Sequence, residues 1–177
     1  MGKDKKKRCL IVDIDETICT PKEKYKIDIP QTIDRETWNK FLEDKEYYNP
    51  KQFIPVREII DLVENLIKSN SDIFVFFVTA RENIENKPMF LNTFRLIRKF
   101  FKTFENPKLL GKSYQILMRK ENDFRSNMEI KEEILHDILE NYIPLLAIDD
   151  EEENIKMFER HYIPCLRVIK KGEIING

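Results

Sequence analysis

Residues 9–17, CLIVDIDET, constrain the fold more than any other part of the chain. An apolar run, Cys9-Leu10-Ile11-Val12, stops at Asp13, and after Ile14 come Asp15, Glu16 and Thr17. An apolar, β-branched run that ends in carboxylates reads as a buried parallel strand delivering acids to its carboxyl edge. In open α/β sheets that edge is where ligands bind. Asp13 and Asp15 also repel each other, by about 1–4 kcal/mol at a ~4 Å separation in water-like to surface-like dielectrics. Such a pair persists where a cation or a proton relieves the repulsion.

The rest of the chain repeats the strand pattern. Residues 73–78 (IFVFFV) form a second apolar strand that ends in Thr79-Ala80-Arg81, and 114–118 form a third. Residues 145–148 (LLAI) form a fourth, stopping at Asp149-Asp150, and 165–169 a last. Helices are predicted between them from the 3.6-residue period. One is opened by Pro55 and carries Val56, Ile59, Ile60, Val63, Leu66 and Ile67. A second, over 89–104, buries Phe90, Leu91, Phe94, Ile97, Phe100, Phe101 and Phe104. A third spans 129–142 with Ile130, Ile134, Leu135, Ile138 and Leu139 inward, and a fourth runs through Ile155 and Phe158. Residues 82–87 read as a polar loop.

Strands alternating with helices give an α/β fold, a doubly wound parallel sheet. Right-handed crossovers with helices on both faces put the first strand at the centre, beside the fourth. Asp13 and Asp15 then face Asp149 and Asp150 across the switch point, with Thr79 alongside. Residues 19–53 are weakly periodic and hold Tyr25, Trp38, Tyr47 and Tyr48. They read as a small cap inserted after the first strand of a single domain, residues 1–177.

Composition narrows the functional classes. The 31 basic and 32 acidic residues nearly cancel, so overall charge says nothing about a nucleic-acid partner, and only local clustering could. Cys9, Cys19 and Cys165 are far apart and form no C-x-x-C. That argues against a zinc or disulfide framework of cysteines and for a reduced, cytoplasmic setting. The start, MGKDKKKR, is too polar for a signal peptide, and the apolar runs are too short to span a bilayer, so no membrane is expected. His136 and His161 lie away from the motifs and read as structural or solvated. Gly111-Lys112-Ser113 imitates the end of a phosphate-binding loop, but Asn106 stands where that pattern needs glycine. It also precedes a strand instead of opening a helix, which excludes a kinase.

Four carboxylates (Asp13, Asp15, Asp149, Asp150) at one sheet edge require a hard cation, and all-oxygen ligation selects Mg2+. A hydroxyl (Thr79), a lysine (Lys131) and an arginine (Arg81) nearby suit a tetrahedral dianion. The chemistry is phosphoryl transfer, which rests on positioning and charge neutralisation. A carboxylate can supply the nucleophile by forming an aspartyl-phosphate.

VDIDET, VTAR, the lysine of MEIKEEIL and AIDD together resemble the phosphatase signature of the haloacid dehalogenase (HAD) superfamily. VTARE, ILMRKENDFR, IKEEI and LLAIDD are similar, more narrowly, to the 3′-phosphatase domains of phage polynucleotide kinase-phosphatases. The resemblance implies a HAD-like, Rossmannoid fold and an Mg2+-dependent phosphomonoesterase. Its substrate would be a DNA or RNA 3′ end; a phosphatase for nucleotides or small phosphorylated metabolites is the alternative. Asp13 would attack phosphorus and bind the metal. Asp15 would protonate the leaving oxygen, activate water, and lend its backbone carbonyl to the metal. Thr79, with Ala80 and Arg81, would hold the phosphoryl group, and Lys131 would neutralise charge. Asp150 would bind the metal directly and Asp149 through water or a neighbouring group. Arg81, Arg119 and Arg125 would grip phosphate or nucleic-acid backbone. Glu16 stands where the superfamily usually has glycine, and Asn127 where the narrower family has aspartate. A signalling receiver domain combines similar residues, but its lysine comes last, whereas Lys131 precedes Asp149-Asp150. No stable protein partner is implied.

Overall fold

The computed structural model describes residues 6–22, 36, 49–70, 72–84, 87–105 and 114–169. Much of the expected cap, residues 23–35 and 37–48 with Tyr25, Trp38, Tyr47 and Tyr48, lies outside the described residues, as does 111–113.

Five parallel strands form the main sheet: β1 (Lys7–Asp13), β4 (Phe74–Asn83), β5 (Tyr114–Lys120), β6 (Tyr142–Asp149) and β7 (Cys165–Arg167), in the order β5-β4-β1-β6-β7. The first strand is therefore central and pairs with β6, the expected switch point. Its exposed start, Lys7 and Arg8, gives way to residues buried on both faces, as a central parallel strand requires. Leu10 and Val12 point into one core with Val75, Phe77 and Ile148. Cys9 and Ile11 point into the other with Phe76, Val78 and Ala147.

Helices α1 (Arg57–Ser69) and α2 (Pro88–Phe100) cover the first face through Ile60, Val63, Ile67, Leu96, Ile97 and Phe100. Helices α3 (Asn127–Asn141) and α4 (Glu152–Arg160) cover the second through Leu135, Ile138, Met157 and Phe158. A small antiparallel pair, β2 (Cys19–Pro21) with β3 (Phe53–Pro55), ties together the two ends of segment 19–55.

Several boundaries differ from the sequence-based expectation. Pro55 closes β3 instead of opening α1, which starts at Arg57. α2 stops at Phe100, and a 3-10 turn over Lys102–Glu105 carries Phe104 into the core, where Phe101, Phe104 and Phe77 pack ring to ring at 5.0–5.9 Å. Leu91 is 40% exposed, because the buried stripe of α2 runs instead through Met89, Thr93, Leu96 and Phe100. Tyr142 begins β6 directly after α3, and Pro144 is accommodated in that strand beside a register shift against β1. The expected loop at 82–87 begins later than foreseen, since β4 continues to Asn83. Its register against β5 shifts between Thr79 and Glu82, a bulge that re-aims the intervening side chains. Among the described residues no helix is long and apolar enough to cross a membrane.

Candidate active site

The carboxyl edge collects the predicted acids. Asp13 ends β1, Asp149 ends β6, and Asp150 follows at the turn into α4. One carboxylate oxygen from each lies within 4.8 Å of the others, and all three side chains belong to buried residues. Lys131 is held in the first turns of α3 by a capping box between Ser126 and Glu129. From there its ammonium, itself buried, donates to Asp13 Oδ1 and Asp149 Oδ2, each at 2.8 Å.

Asp149 is bonded through both carboxylate oxygens. Besides Lys131, its Oδ1 accepts from the Glu151 N–H at 3.1 Å and from Asn154 Nδ2 at 2.9 Å. Asp150 Oδ1 accepts from the buried Thr17 hydroxyl at 3.4 Å. Burial raises the Asp13 carboxyl above the usual carboxylate range; Lys131 pulls it back, while Asp149 and Asp15 push it further up. Burial lowers the Lys131 ammonium, but Asp13 and Asp149 outweigh that and hold it above an ordinary lysine. Three carboxylates around one ammonium still carry an excess of negative charge. Their donors are all hard oxygens, a set that fits Mg2+.

Asp15 lies on the other side of Asp13 and is built differently. Its side chain is 40% exposed, whereas Arg81 beneath it is 1% exposed. The guanidinium grips the carboxylate with a two-toothed fork, Nε to Oδ2 at 2.9 Å and Nη2 to Oδ1 at 2.6 Å. Arg81 is fixed in turn by Nη1 donating to the Thr93 hydroxyl at 3.0 Å and by the face of Phe53, 5.4 Å from its carbon centre. Thr79, the residue after Val78, which pairs with Asp13 in the β1–β4 register, donates to Asp15 Oδ2 at 3.3 Å. The bulge in β4 is what buries Arg81 here.

Glu16 adopts φ 59°, the left-handed region that glycine favours. The backbone turns there so that the Glu16 N–H bonds the Cys19 carbonyl at 2.8 Å. The superfamily's usual glycine thus has a conformational reason, and this chain holds a glutamate against it.

The remaining arginines lie around the 119–127 loop. Arg119 donates to the carbonyls of Ala80, Asp123 and Arg125 at 2.8–2.9 Å and to Asn127 Oδ1 at 2.7 Å. Its fork organises the loop against β4. Arg125 pairs with Asp123 and Glu133. Asn127 keeps the acceptor that Arg119 needs and donates to Glu151 Oε1 at 3.3 Å, which an aspartate could not do. Ala80 sits at the bulge with its carbonyl turned to Arg119. A cleft of about 460 Å³ opens beside Asp150 and is lined by Asn127, Glu151, Glu152, Glu153 and Arg167 among others.

Sequence reasoning placed Thr17 in the first motif without giving it a role, and did not single out Thr93 or Asn154. Asn154 carried a signal: it is a buried amide on the inward face of α4, next to Ile155 and Phe158.

Comparison with known proteins agrees with this fold. Residues 7–173 match the family model for the polynucleotide kinase PNKP phosphatase domain. A chain in a solved Pnkp1/Rnl/Hen1 complex is 20% identical, with a TM-score of 0.62, over 97% of this chain and 49% of that one. A chain in a Pnkp1/Rnl/Hen1 RNA repair complex is 19% identical, with a TM-score of 0.63, over 98% of this chain and 46% of that one. This chain thus spans about half the length of those structures' chains. No curated protein matches it. The chain belongs to the PNKP phosphatase-domain family, a HAD-type phosphatase fold.

Proposed function

We propose that this family member removes the phosphoryl group from a nucleic-acid 3′ end through a covalent aspartyl-phosphate on Asp13. The observation that carries the reading is the division of labour between Asp13, buried against Lys131, and Asp15, exposed and clamped by Arg81.

A carboxylate oxygen of Asp13 attacks phosphorus and forms the new O–P bond as the ester P–O bond breaks. Asp15 gives its proton to the departing sugar oxygen, and Arg81 keeps its carboxylate aimed at that oxygen. With the alcohol gone, Asp15 takes a proton from water, and the water oxygen attacks phosphorus. The Asp13–phosphorus bond breaks, releasing inorganic phosphate and leaving Asp13 again a carboxylate and Asp15 again protonated for the next turnover. Lys131 holds Asp13 in place and offsets charge on the phosphoryl oxygens, while Thr79 and Ala80 line the phosphoryl site. Asp13, Asp150 and the Asp15 backbone carbonyl would hold Mg2+, with Asp149 supporting through Lys131. When bound, the ion neutralises charge on the phosphoryl group.

Two considerations support a nucleic-acid end as substrate. The family is that of polynucleotide kinase phosphatase domains, and one matching structure is an RNA repair complex. The cleft beside Asp150 is walled by Glu151, Glu152 and Glu153, which disfavours a polyanionic strand there, while Asp15 reaches solvent on the β4 side. Phosphate release should be compared for 3′-phosphorylated oligonucleotides of DNA and RNA, 5′-phosphorylated ones and free mononucleotides. A clear preference for 3′ ends is expected. Equal rates on all three classes would remove the end-repair assignment and leave a general phosphatase. EDTA in excess is expected to silence turnover, and Mg2+ to restore it.

A further inference from the structure

The whole chain contains two histidines, His136 and His161, and the fold brings them together. His136 lies on α3 and His161 caps the C-terminus of α4, with their rings edge to face at 5.2 Å. Glu132, one helical turn before His136, places Oε1 3.0 Å from His161 Nε2. One ligand atom from each of Glu132, His136 and His161 lies within 4.8 Å of the other two.

We propose that Glu132, His136 and His161 form a second metal site, for a borderline divalent cation of the zinc class. The donor set separates it from the acidic triad. Two imidazoles and one carboxylate suit zinc and its neighbours, whereas Asp13, Asp149 and Asp150 offer only hard oxygen. The i,i+4 spacing puts Glu132 and His136 on one helix face, so two of the three ligands need no tertiary arrangement. The third is fixed by its backbone, because the His161 N–H bonds the Phe158 carbonyl at 3.0 Å and the next residues turn back onto α4. A surface hydrogen bond accounts for Glu132 and His161 alone. His136 adds a ring nitrogen within 4.8 Å of the ligand atoms of both, beside its edge-to-face contact with His161. Arg160 stands 3.7 Å from Glu132 Oε1 with both side chains partly exposed, so it is a displaceable neighbour. Solvent exposure leaves a fourth position for water, as in open three-ligand zinc sites.

The site would join two helices that matter to the catalytic edge. α3 carries Lys131, the residue before Glu132, and α4 follows Asp149 and Asp150. A metal here staples α3 to the turn after α4 and holds the two segments at a fixed separation.

The test is calorimetric titration of the full chain with ZnCl2 in excess Mg2+, which keeps the carboxylate triad filled. One zinc per chain is expected, and Tm should rise by about 5–10 °C at a hundredfold excess over Kd. Replacement of a metal's outer partners already costs 10–100-fold in affinity, so removing a ligand should cost at least about tenfold. His136→Gln, His161→Gln and Glu132→Gln should each show that loss, with an unchanged Tm in the absence of zinc. Co2+ bound in the wild type should show visible ligand-field absorption that His136→Gln removes. Zinc binding that Mg2+ competes away and that survives the histidine substitutions would overturn the proposal, as would no binding at all.

Discussion

Asp13 and Asp15 are two residues apart on one chain, yet the fold gives them opposite surroundings. On the β6 side, Asp13 is buried with two further acids around a single ammonium. On the β4 side, Asp15 reaches solvent while a buried guanidinium holds both its oxygens. The first environment concentrates negative charge and suits a cation and an electrophilic phosphorus. The second fixes the direction of a carboxylate that water and a leaving group can reach. β1 ends at Asp13, and Asp15 lies beyond it in a bridge to Cys19, so the period-2 alternation of a strand, which would put both acids on one face, does not govern the second acid.

The largest expected contrast comes from neutralising each acid. Asp13→Asn should reduce turnover by on the order of 10⁴-fold or more, since it removes the nucleophile. It should leave stability unchanged or higher, because it relieves repulsion with Asp149 while keeping an acceptor for Lys131. Asp15→Asn should cost about 10²–10⁴-fold, the usual worth of a general acid-base, and should destabilise the fold by leaving Arg81 buried beside a neutral amide. Denaturant melts and steady-state rates on both variants check this; equal stability effects would break the contrast.

Lys131→Met tests the crowded side. It leaves Asp13 and Asp149 buried without their ammonium, at a cost of about 3–5 kcal/mol in chelator. Urea unfolding should show that loss, with partial recovery in excess Mg2+; a change under about 1 kcal/mol would contradict the charge argument.

Much of this arrangement was readable from the chain because its causes are local. An apolar run ending in acids, seen at Asp13 and again at Asp149, marks buried strands and their functional edge without any knowledge of packing. The order of Lys131 and Asp149-Asp150 followed from the sequence, and the central place of β1 from handedness. What escaped depends on contacts between distant elements. Arg81 and Arg119 read from the chain as phosphate ligands, and their intramolecular partners, the Asp15 carboxylate and the 119–127 loop carbonyls, depend on contacts the sequence does not display. Leu91 and Phe94 fit a helical period, yet the tilt of α2 chooses a neighbouring stripe. His136 and His161 look isolated in sequence, and only the packing of α3 on α4 makes them neighbours.

Arg81→Lys probes the clamped side more gently. A point charge replaces a fork, so kcat should fall by about 10²-fold from misaligned Asp15 while KM changes little. An unchanged kcat would mean that the fork serves only stability. The smallest effect is expected at Glu16. Glu16→Gly removes a side chain from a left-handed residue and should stabilise by up to about 1 kcal/mol, read as a Tm rise of about 2–4 °C. A fall in Tm would show that contacts of the glutamate outweigh its backbone cost.

The covalent role of Asp13 is open to direct measurement. A 3′-phosphorylated oligonucleotide labelled on phosphorus is turned over, the reaction is quenched in acid, and the phosphorylated peptide is located by mass spectrometry. The label is expected on Asp13, at the end of β1, and is expected to be absent from Asp13→Asn. Label on Asp15 or Asp150, or an unlabelled chain during active turnover, would contradict the account.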